Sequence, residues 1–304
     1  MTSKFIEIID AKMATLVDSE VEIECIASGF GFIEGPVWIK GGLVFSDIPN
    51  NRLIRWTEDK YGPSVVTYRA PSGMSNGNTL DLNDELITCE HKGRRVSRGE
   101  SGGDVVTVVD SYNGKRLNSP NDVVCRSDGS LYFTDPPYGL IHPSNPAPIP
   151  SELGFNGVFR IDPAGNLELM CEDFDRPNGL AFSPDEQILY IDDSARGHIR
   201  KFQVEDSGGL SDGEVFFDYM SADGMGVPDG MKVDSLGNIW STGPGSVWVI
   251  DPDGSAIGRV YVPESPANLA FGGSDLCTMY FTARNGLYRM SLLVPGLPVG
   301  RAKR

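Results

Sequence analysis

Six residues with oxygen in their side chains recur at matching places in six similar stretches of the chain. They are Glu34, Asn76, Asn121, Asn178, Asp229 and Asn268. Carboxylate and carboxamide oxygens are the ligands that hard cations prefer, and Ca²⁺ accepts roughly six to eight of them. If the six side chains converge on one point, the two carboxylates also balance a divalent charge. The pattern therefore predicts a site for one divalent metal, with Ca²⁺ as the first expectation.

The alternative is that these residues only form turns, because Asn-Gly and Asp-Gly pairs are common turn sequences. Turns do not explain the shared register, since each stretch has its own turn a few residues later, such as SDG or SLG. No His or Cys falls among the six positions, so zinc suits the site less well than calcium. Mg²⁺, Mn²⁺, Zn²⁺ and Fe²⁺ remain possible with these ligands.

The surrounding stretches read as repeated β-hairpins. Each has a short apolar run, a turn and a second run, and most continue into a third run such as RLIRW, GVFRID or SVWVI. The six starting residues lie 39 to 57 residues apart, which is the size of a propeller blade. We therefore predict an all-β, six-bladed β-propeller. Its innermost strands would bring the six polar residues to the central channel.

A propeller must close its ring, and the sequence offers a segment for this purpose. VEIECIAS, residues 21–28, alternates apolar with polar residues and precedes the first repeat. We predict that it forms the outer strand of the sixth blade. The expected organisation is a single propeller domain over residues 1–304, with residues 1–20 as an N-terminal extension.

Composition narrows the possible partners. The net charge of −16 disfavours nucleic acid and anionic membranes as partners. The five cysteines are far apart and form no CxxC motif, which disfavours a disulfide framework. The first twenty residues lack the apolar core of a signal peptide. We expect a cytoplasmic protein, a monomer or homodimer, that acts on a small molecule.

The motifs as a set resemble the SMP-30/gluconolactonase family. The carriers are EGPVW, FSDIPNNRLIRW, CEHKGRR, RLNSPNDVV, YFTDPPYG, RPNGLAFS, VPDGMKVD and NLAFGG, from about Ile23 to Met290. EHKGRR and SPNDVV followed by FTDPPYG look most like the bacterial gluconolactonase branch. The resemblance implies a metal-dependent hydrolase that opens a lactone ring, with a sugar lactone such as gluconolactone as the expected substrate.

The resemblance also implies roles for individual residues. The family's metal ligands fall on Glu34, Asn121, Asn178 and Asp229, and its acid, base or nucleophile falls on Asp229. An Arg that helps animal regucalcin to bind sugar is replaced here by Ser119. This departure leaves the identity of the lactone open.

Four further residues are candidates for contacts with the substrate. Asn76 and Asn268 complete the set of six and would donate hydrogen bonds to substrate hydroxyls, or else bond to neighbouring backbone. His91 ends a second strand near the channel mouth, and Tyr138 lies in the turn DPPYG beside the expected pocket.

Two other functions compete with the lactonase interpretation. The same metal would polarise a P=O group, as in a phosphotriesterase that cleaves diisopropyl fluorophosphate, and a non-catalytic calcium-binding propeller is the third possibility. GMSNG matches the G-x-S-x-G nucleophile motif, but it leads into a hairpin rather than a strand–turn–helix. We therefore do not assign Ser75 as a nucleophile.

Overall fold

A computed structural model describes residues 4–99, 103–142, 145, 147–219 and 222–300. The chain starts with β1 (Ile6–Ile8), a 3-10 helix (Ala11–Thr15) and β2 (Glu24–Ser28). Within the described residues this short helix is the only helical element, and no helix there is long and apolar enough to cross a membrane.

Six antiparallel sheets then follow one another along the chain. Blade one contains β3 (Ile33–Ile39), β4 (Gly42–Asp47), β5 (Arg52–Asp59) and β6 (Gly62–Arg69). Blade two contains β7 (Ser75–Leu80), β8 (Leu86–Glu90), β9 (Arg95–Gly99) and β10 (Val105–Val109). A small hairpin, β11 (Ser111–Tyr112) and β12 (Lys115–Arg116), leads to blade three.

The other four blades repeat the arrangement. Blade three contains β13 (Val123–Cys125), β14 (Leu131–Asp135), β15 (Asn156–Ile161) and β16 (Leu167–Phe174). Blade four contains β17 (Pro177–Phe182), β18 (Ile188–Asp193), β19 (His198–Gln203) and β20 (Glu214–Asp218). Blade five contains β21 (Met231–Val233), β22 (Ile239–Gly243), β23 (Ser246–Ile250) and β24 (Ala256–Val260). Blade six contains β25 (Pro266–Gly272), β26 (Thr278–Ala283) and β27 (Gly286–Ser291).

This architecture confirms the predicted six-bladed β-propeller. The innermost strands are buried almost throughout, whereas the outer strand β6 is exposed along most of its length. The apolar core therefore lies between neighbouring blades, close to the axis. Where blades six and one meet, Trp38 stacks on Tyr280 with ring centroids 5.4 Å apart.

The ring is closed by the N-terminal strand, as the sequence predicts. β2 pairs antiparallel with β27, so that Cys25 faces Tyr288 and Ser28 faces Gly286. Residues near the start of the chain also join a blade, which the sequence did not predict. β1 pairs with β24 as a fifth strand of blade five, and Met13 behind it is fully buried.

The C-terminal segment crosses the channel end that lies opposite the six polar residues. It leaves β27 and bonds to blade five, where Ser235 N donates to Pro295 O at 2.9 Å. It then reaches blades one and two, where Val299 packs against the cluster that includes Leu80 and Leu86. Both ends of the chain therefore fasten blades that are distant in sequence.

A deletion tests the role of β2. Removing residues 1–30 leaves the edge of β27 unpaired, and exposed strand edges promote aggregation. We expect this variant to elute as aggregates from a size-exclusion column and to lose the melting transition of the full chain. Removing residues 1–10 takes away only β1 and should leave a monodisperse protein with a lower melting temperature. A soluble 31–304 chain with unchanged melting would contradict closure by β2.

Candidate active site

The candidate site is a cavity at one mouth of the central channel. Its empty volume, including the part that is open to solvent, is about 1010 Å³. Seven of the eight predicted site residues line it: Glu34, Asn76, His91, Asn121, Tyr138, Asn178 and Asp229. Asn268 does not line the cavity. The five members of the original set that do line it form a polar floor, and side chains from several loops form the walls.

Irregular strand pairing aims the floor residues at the axis. In blades one, two, four and six the register shifts beside Glu34, Asn76, Asn178 and Asn268. In blades three and five the inner strand begins only two residues after the polar residue. Where the hydrogen-bond ladder is interrupted, side chains no longer have to alternate between the two faces of the sheet. The polar side chain can then point to the channel axis. The pairing within each blade therefore builds the site.

Close contact between neighbouring inner strands fixes the height of the floor residues. Gly77 N donates to Asn121 O at 2.7 Å, and Ser46 Oγ donates to Asn76 O at 2.6 Å. A Cβ atom on Gly77 would lie 2.5 Å from Asn121 O. The glycine after the polar residue therefore permits inter-blade packing and is not a turn residue, which rules out the turn interpretation at this position.

A chain of hydrogen bonds orients the three asparagines of the floor. Asn76 Nδ2 donates to Asn121 Oδ1 at 2.6 Å, and Asn121 Nδ2 donates to Asn178 Oδ1. Asn178 Nδ2 then donates to Ser194 Oγ at 3.0 Å. The three carboxamides are thus held side by side in an arc.

Three carboxyl groups at or beside the floor are buried, those of Glu34, Asp122 and Asp192, and a fourth, that of Asp229, is half-buried. Burial raises the pKa of Asp229 to about 7, and the charge of Asp122 adds to the rise. Burial and then the charge of Asp229 hold the pKa of Glu34, and also that of Asp192, well above the ordinary value. The pKa of Asp122 is raised by burial and lowered in part by Lys232. The floor therefore gathers acidic groups whose charged forms repel one another, and Lys232 opposes this repulsion at Asp122.

Asn268 links this lysine to the carboxyl groups. Lys232 Nζ lies 3.5 Å from Asn268 Oδ1, and Leu269 N donates to the same oxygen at 2.8 Å. Hydrogen bonding from the Asn268 side chain lowers the pKa of both Glu34 and Asp122. Asn268 therefore lies behind the floor and supports it, and its bond with Leu269 N corresponds to the second of its two expected roles, bonding to neighbouring backbone.

Two of the buried acids were not among the sequence candidates, although the repeats contain a signal for each. Asp122 follows Asn121 where four of the six repeats have glycine. Asp192 occupies the next-to-last position of β18, where blades one, three, five and six have the hydroxyl residues Ser46, Thr134, Thr242 and Thr282. Asp192 therefore stands out because it has a carboxyl group where four other blades have a hydroxyl group.

The two remaining lining candidates lie on opposite sides of the asparagine arc. His91 Nε2 is 2.9 Å from Asn121 Oδ1 and 3.3 Å from Asn76 Nδ2. Burial lowers the pKa of His91 to about 4, so the imidazole is neutral at pH 7. Tyr138 is half-buried, and burial raises its pKa to about 12, so its hydroxyl keeps its proton. Both side chains can exchange hydrogen bonds with a bound molecule.

The donor set suits a hard divalent cation. Glu34 and Asp229 offer carboxylates, Asn121 and Asn178 offer carboxamides, and none of the four is a soft ligand. Both side-chain oxygens of Asp192 are buried without a hydrogen-bond partner. A bound cation would relieve the repulsion that raises the pKa values of these acids. Among the described residues, no group of three or more His, Cys, Asp and Glu side chains is arranged as a metal site.

Comparison with known proteins gives a consistent result. A sequence model of the SMP-30/gluconolactonase/LRE-like region matches residues 32–285. The gluconolactonase of Zymomonas mobilis is 35% identical over 92% of this chain and 83% of its own length. The pentonolactonase XacC of Haloferax volcanii is 31% identical over 83% and 81%. The solved structure of a gluconolactonase from Xanthomonas campestris has a TM-score of 0.87 and 35% identity, covering 95% of each chain.

Substitution of Gly77 tests the packing that sets the floor. Gly77→Ala forces a Cβ into the backbone of Asn121 and Asp122, and overpacking of this kind destabilises by about 1–3 kcal/mol or more. Gly99→Ala is the matched control, because a Cβ there meets only Leu86 O at 3.8 Å. Urea unfolding should show the loss for Gly77→Ala and a change within about 0.5 kcal/mol for Gly99→Ala. Equal stabilities for the two variants would contradict the close packing.

Proposed function

This chain belongs to the SMP-30/gluconolactonase/LRE-like family, and from that premise we propose that it is a hydrolase that opens lactone rings. The family membership confirms the resemblance read from the sequence motifs. The observation that supports the proposal best is Asp229, a half-buried carboxyl group that lies with Glu34 in the floor of an open cavity. A general base must lie within hydrogen-bond reach of the proton that it removes, and the open cavity gives a substrate access to this carboxyl group.

The proposed reaction needs a water molecule, a base and a means to stabilise the developing oxyanion. When bound by Glu34, Asn121, Asn178 and Asp229, a divalent cation would supply Lewis-acid polarisation of the lactone carbonyl. Asp229 would remove the proton from the attacking water, or attack the carbonyl itself. We propose Ca²⁺ as the first candidate for the cation.

Hydrogen bonds from the cavity would position the lactone. Asn76, His91 and Tyr138 line the cavity and carry polar groups that can reach a substrate oxygen. The neutral state of His91 suits this role, because a neutral imidazole offers one donor and one acceptor. The expected substrates include aldonolactones, which the names of the Zymomonas and Haloferax relatives suggest.

We also propose that the enzyme works in the cytoplasm, as a monomer or homodimer and as a single domain. All five cysteines are free thiols, as expected in a reducing compartment. The excess of acidic over basic residues argues against nucleic acid and anionic membranes as partners.

Activity and metal content can be measured on the same samples. We expect proton release from δ-gluconolactone with Ca²⁺ present, its loss after treatment with EDTA, and its return when a divalent ion is added back. Elemental analysis should find one divalent ion per chain in the active sample. Diisopropyl fluorophosphate, assayed in parallel, tests the phosphotriesterase alternative. Turnover that persists in metal-free protein would contradict the metal-dependent mechanism.

Asp229→Asn tests the base directly. The amide keeps the size of the side chain and one oxygen ligand but accepts no proton, so kcat should fall by roughly 10²–10⁴-fold at saturating metal. Asp206→Asn, in an exposed turn, is the matched control and should leave kcat unchanged. If Asp229→Asn at full metal occupancy stays within about threefold of the wild type, Asp229 is a ligand only. Glu34 and His91 would then be the next candidates for the base.

A further inference from the structure

The cavity has an apolar wall above its polar floor. Phe32, Ile141 and Val227 line it and are 39%, 47% and 49% exposed. Ile48 and Pro49 continue the same surface. Exposed apolar side chains gathered around a pocket mark a ligand-binding surface more often than a bare solvent face. The wall therefore requires an explanation that the ring-opening chemistry alone does not give.

Four separate loops supply this wall. Phe32 precedes β3 and Ile48 follows β4, Ile141 lies in the loop after β14, and Val227 precedes β21. These segments belong to blades one, three and five, and they share no packing requirement within a blade. Apolar residues that meet here from distant parts of the chain are best explained by a common ligand.

The charged side chains that line the cavity are also consistent with an apolar ligand. Neither lysine nor arginine is among the described residues that line the cavity, whereas the floor carries Glu34 and Asp229. An anionic substituent bound against the wall would therefore leave water without a lysine or arginine to pair with. An uncharged substituent meets no such penalty.

Ser119 is not available for recognition of substrate hydroxyls. Its side chain is fully buried, donates to Pro136 O at 2.5 Å and accepts from Gly139 N at 2.9 Å. The residue fastens the loop that carries Tyr138 and does not reach into the cavity. Ser119 thus stabilises the loop and offers no charged group to a substrate hydroxyl.

From this arrangement we propose that the preferred substrates are lactones with an uncharged, apolar substituent. The lactone ring lies on the polar floor and the substituent lies against Phe32, Ile141 and Val227. This inference rests on the proposed lactonase function and specifies its substrate class. Each methylene that the wall removes from water should raise kcat/KM by up to about 4-fold.

A homologous series of δ-lactones measures the effect. Initial rates of proton release are compared for δ-valerolactone, δ-hexalactone, δ-octalactone and δ-decalactone, with δ-gluconolactone as the hydroxylated reference. We expect kcat/KM to rise about 2- to 4-fold per methylene until the chain extends past the wall. We also expect δ-decalactone to exceed δ-gluconolactone.

Variants of the wall connect the trend to these residues. Val227→Thr replaces one methyl by a hydroxyl without a change of shape, and Ile141→Asn makes the opposite side polar. Each should reduce the ratio of kcat/KM for δ-decalactone to that for δ-valerolactone by at least 3-fold. Val215→Thr is the control, because Val215 is 54% exposed on β20, away from the cavity, and should leave both rates and their ratio unchanged.

The outcomes separate this inference from the proposed function. Turnover of δ-gluconolactone with a series that is flat in chain length overturns the inference and leaves the lactonase assignment standing. A rising series that both wall variants retain also overturns it, since another surface then binds the substituent. If no lactone of either kind is hydrolysed with metal present, the proposed function fails and this inference fails with it.

Discussion

The site depends on the contact between the inner strand of one blade and the inner strand of the next. Backbone carbonyls at the floor positions accept hydrogen bonds from the preceding blade, from Gly77 N to Asn121 O and from Thr134 Oγ1 to Asn178 O. Because these groups belong to the backbone, they fix the floor whatever side chain each position carries. The fold can therefore hold strongly polar side chains at the axis without relying on them for its own packing.

The accumulation of buried acids follows from this rigidity. Glu34, Asp122, Asp192 and Asp229 are close enough for their charges to act on one another, and Lys232 opposes this repulsion at Asp122. A flexible pocket would relax by admitting water or turning the carboxyl groups outward, but the inter-blade bonds prevent this. The repulsion of like charges contributes to the raised pKa values of these acids, and the proposed cation would relieve it.

The sequence predicted the architecture because the repeats share a register, and register determines which residues reach the channel. It predicted the five floor residues that line the cavity for the same reason, whereas His91 and Tyr138 were predicted from the end of a second strand and from the DPPYG turn. For Asn268 the sequence left two roles open, because it does not show that the amide meets Lys232, which lies on a different blade. Asp192 was missed because its relevance appears only when the second strands, as well as the first, are compared between repeats. Pairing of β1 with blade five was missed because three residues carry too little periodicity to reveal a strand.

The pairing of β2 with β27 has a consequence for synthesis. The ribosome completes β2 about 260 residues before its partner exists, which at roughly 5–20 residues per second leaves the strand waiting for some tens of seconds. Blades one to four can form during that interval, because each is made from contiguous sequence. The last blade and the closed channel can form only when the chain is nearly finished. Until then the nascent protein has an open-edged ring, in which β2 has no partner strand.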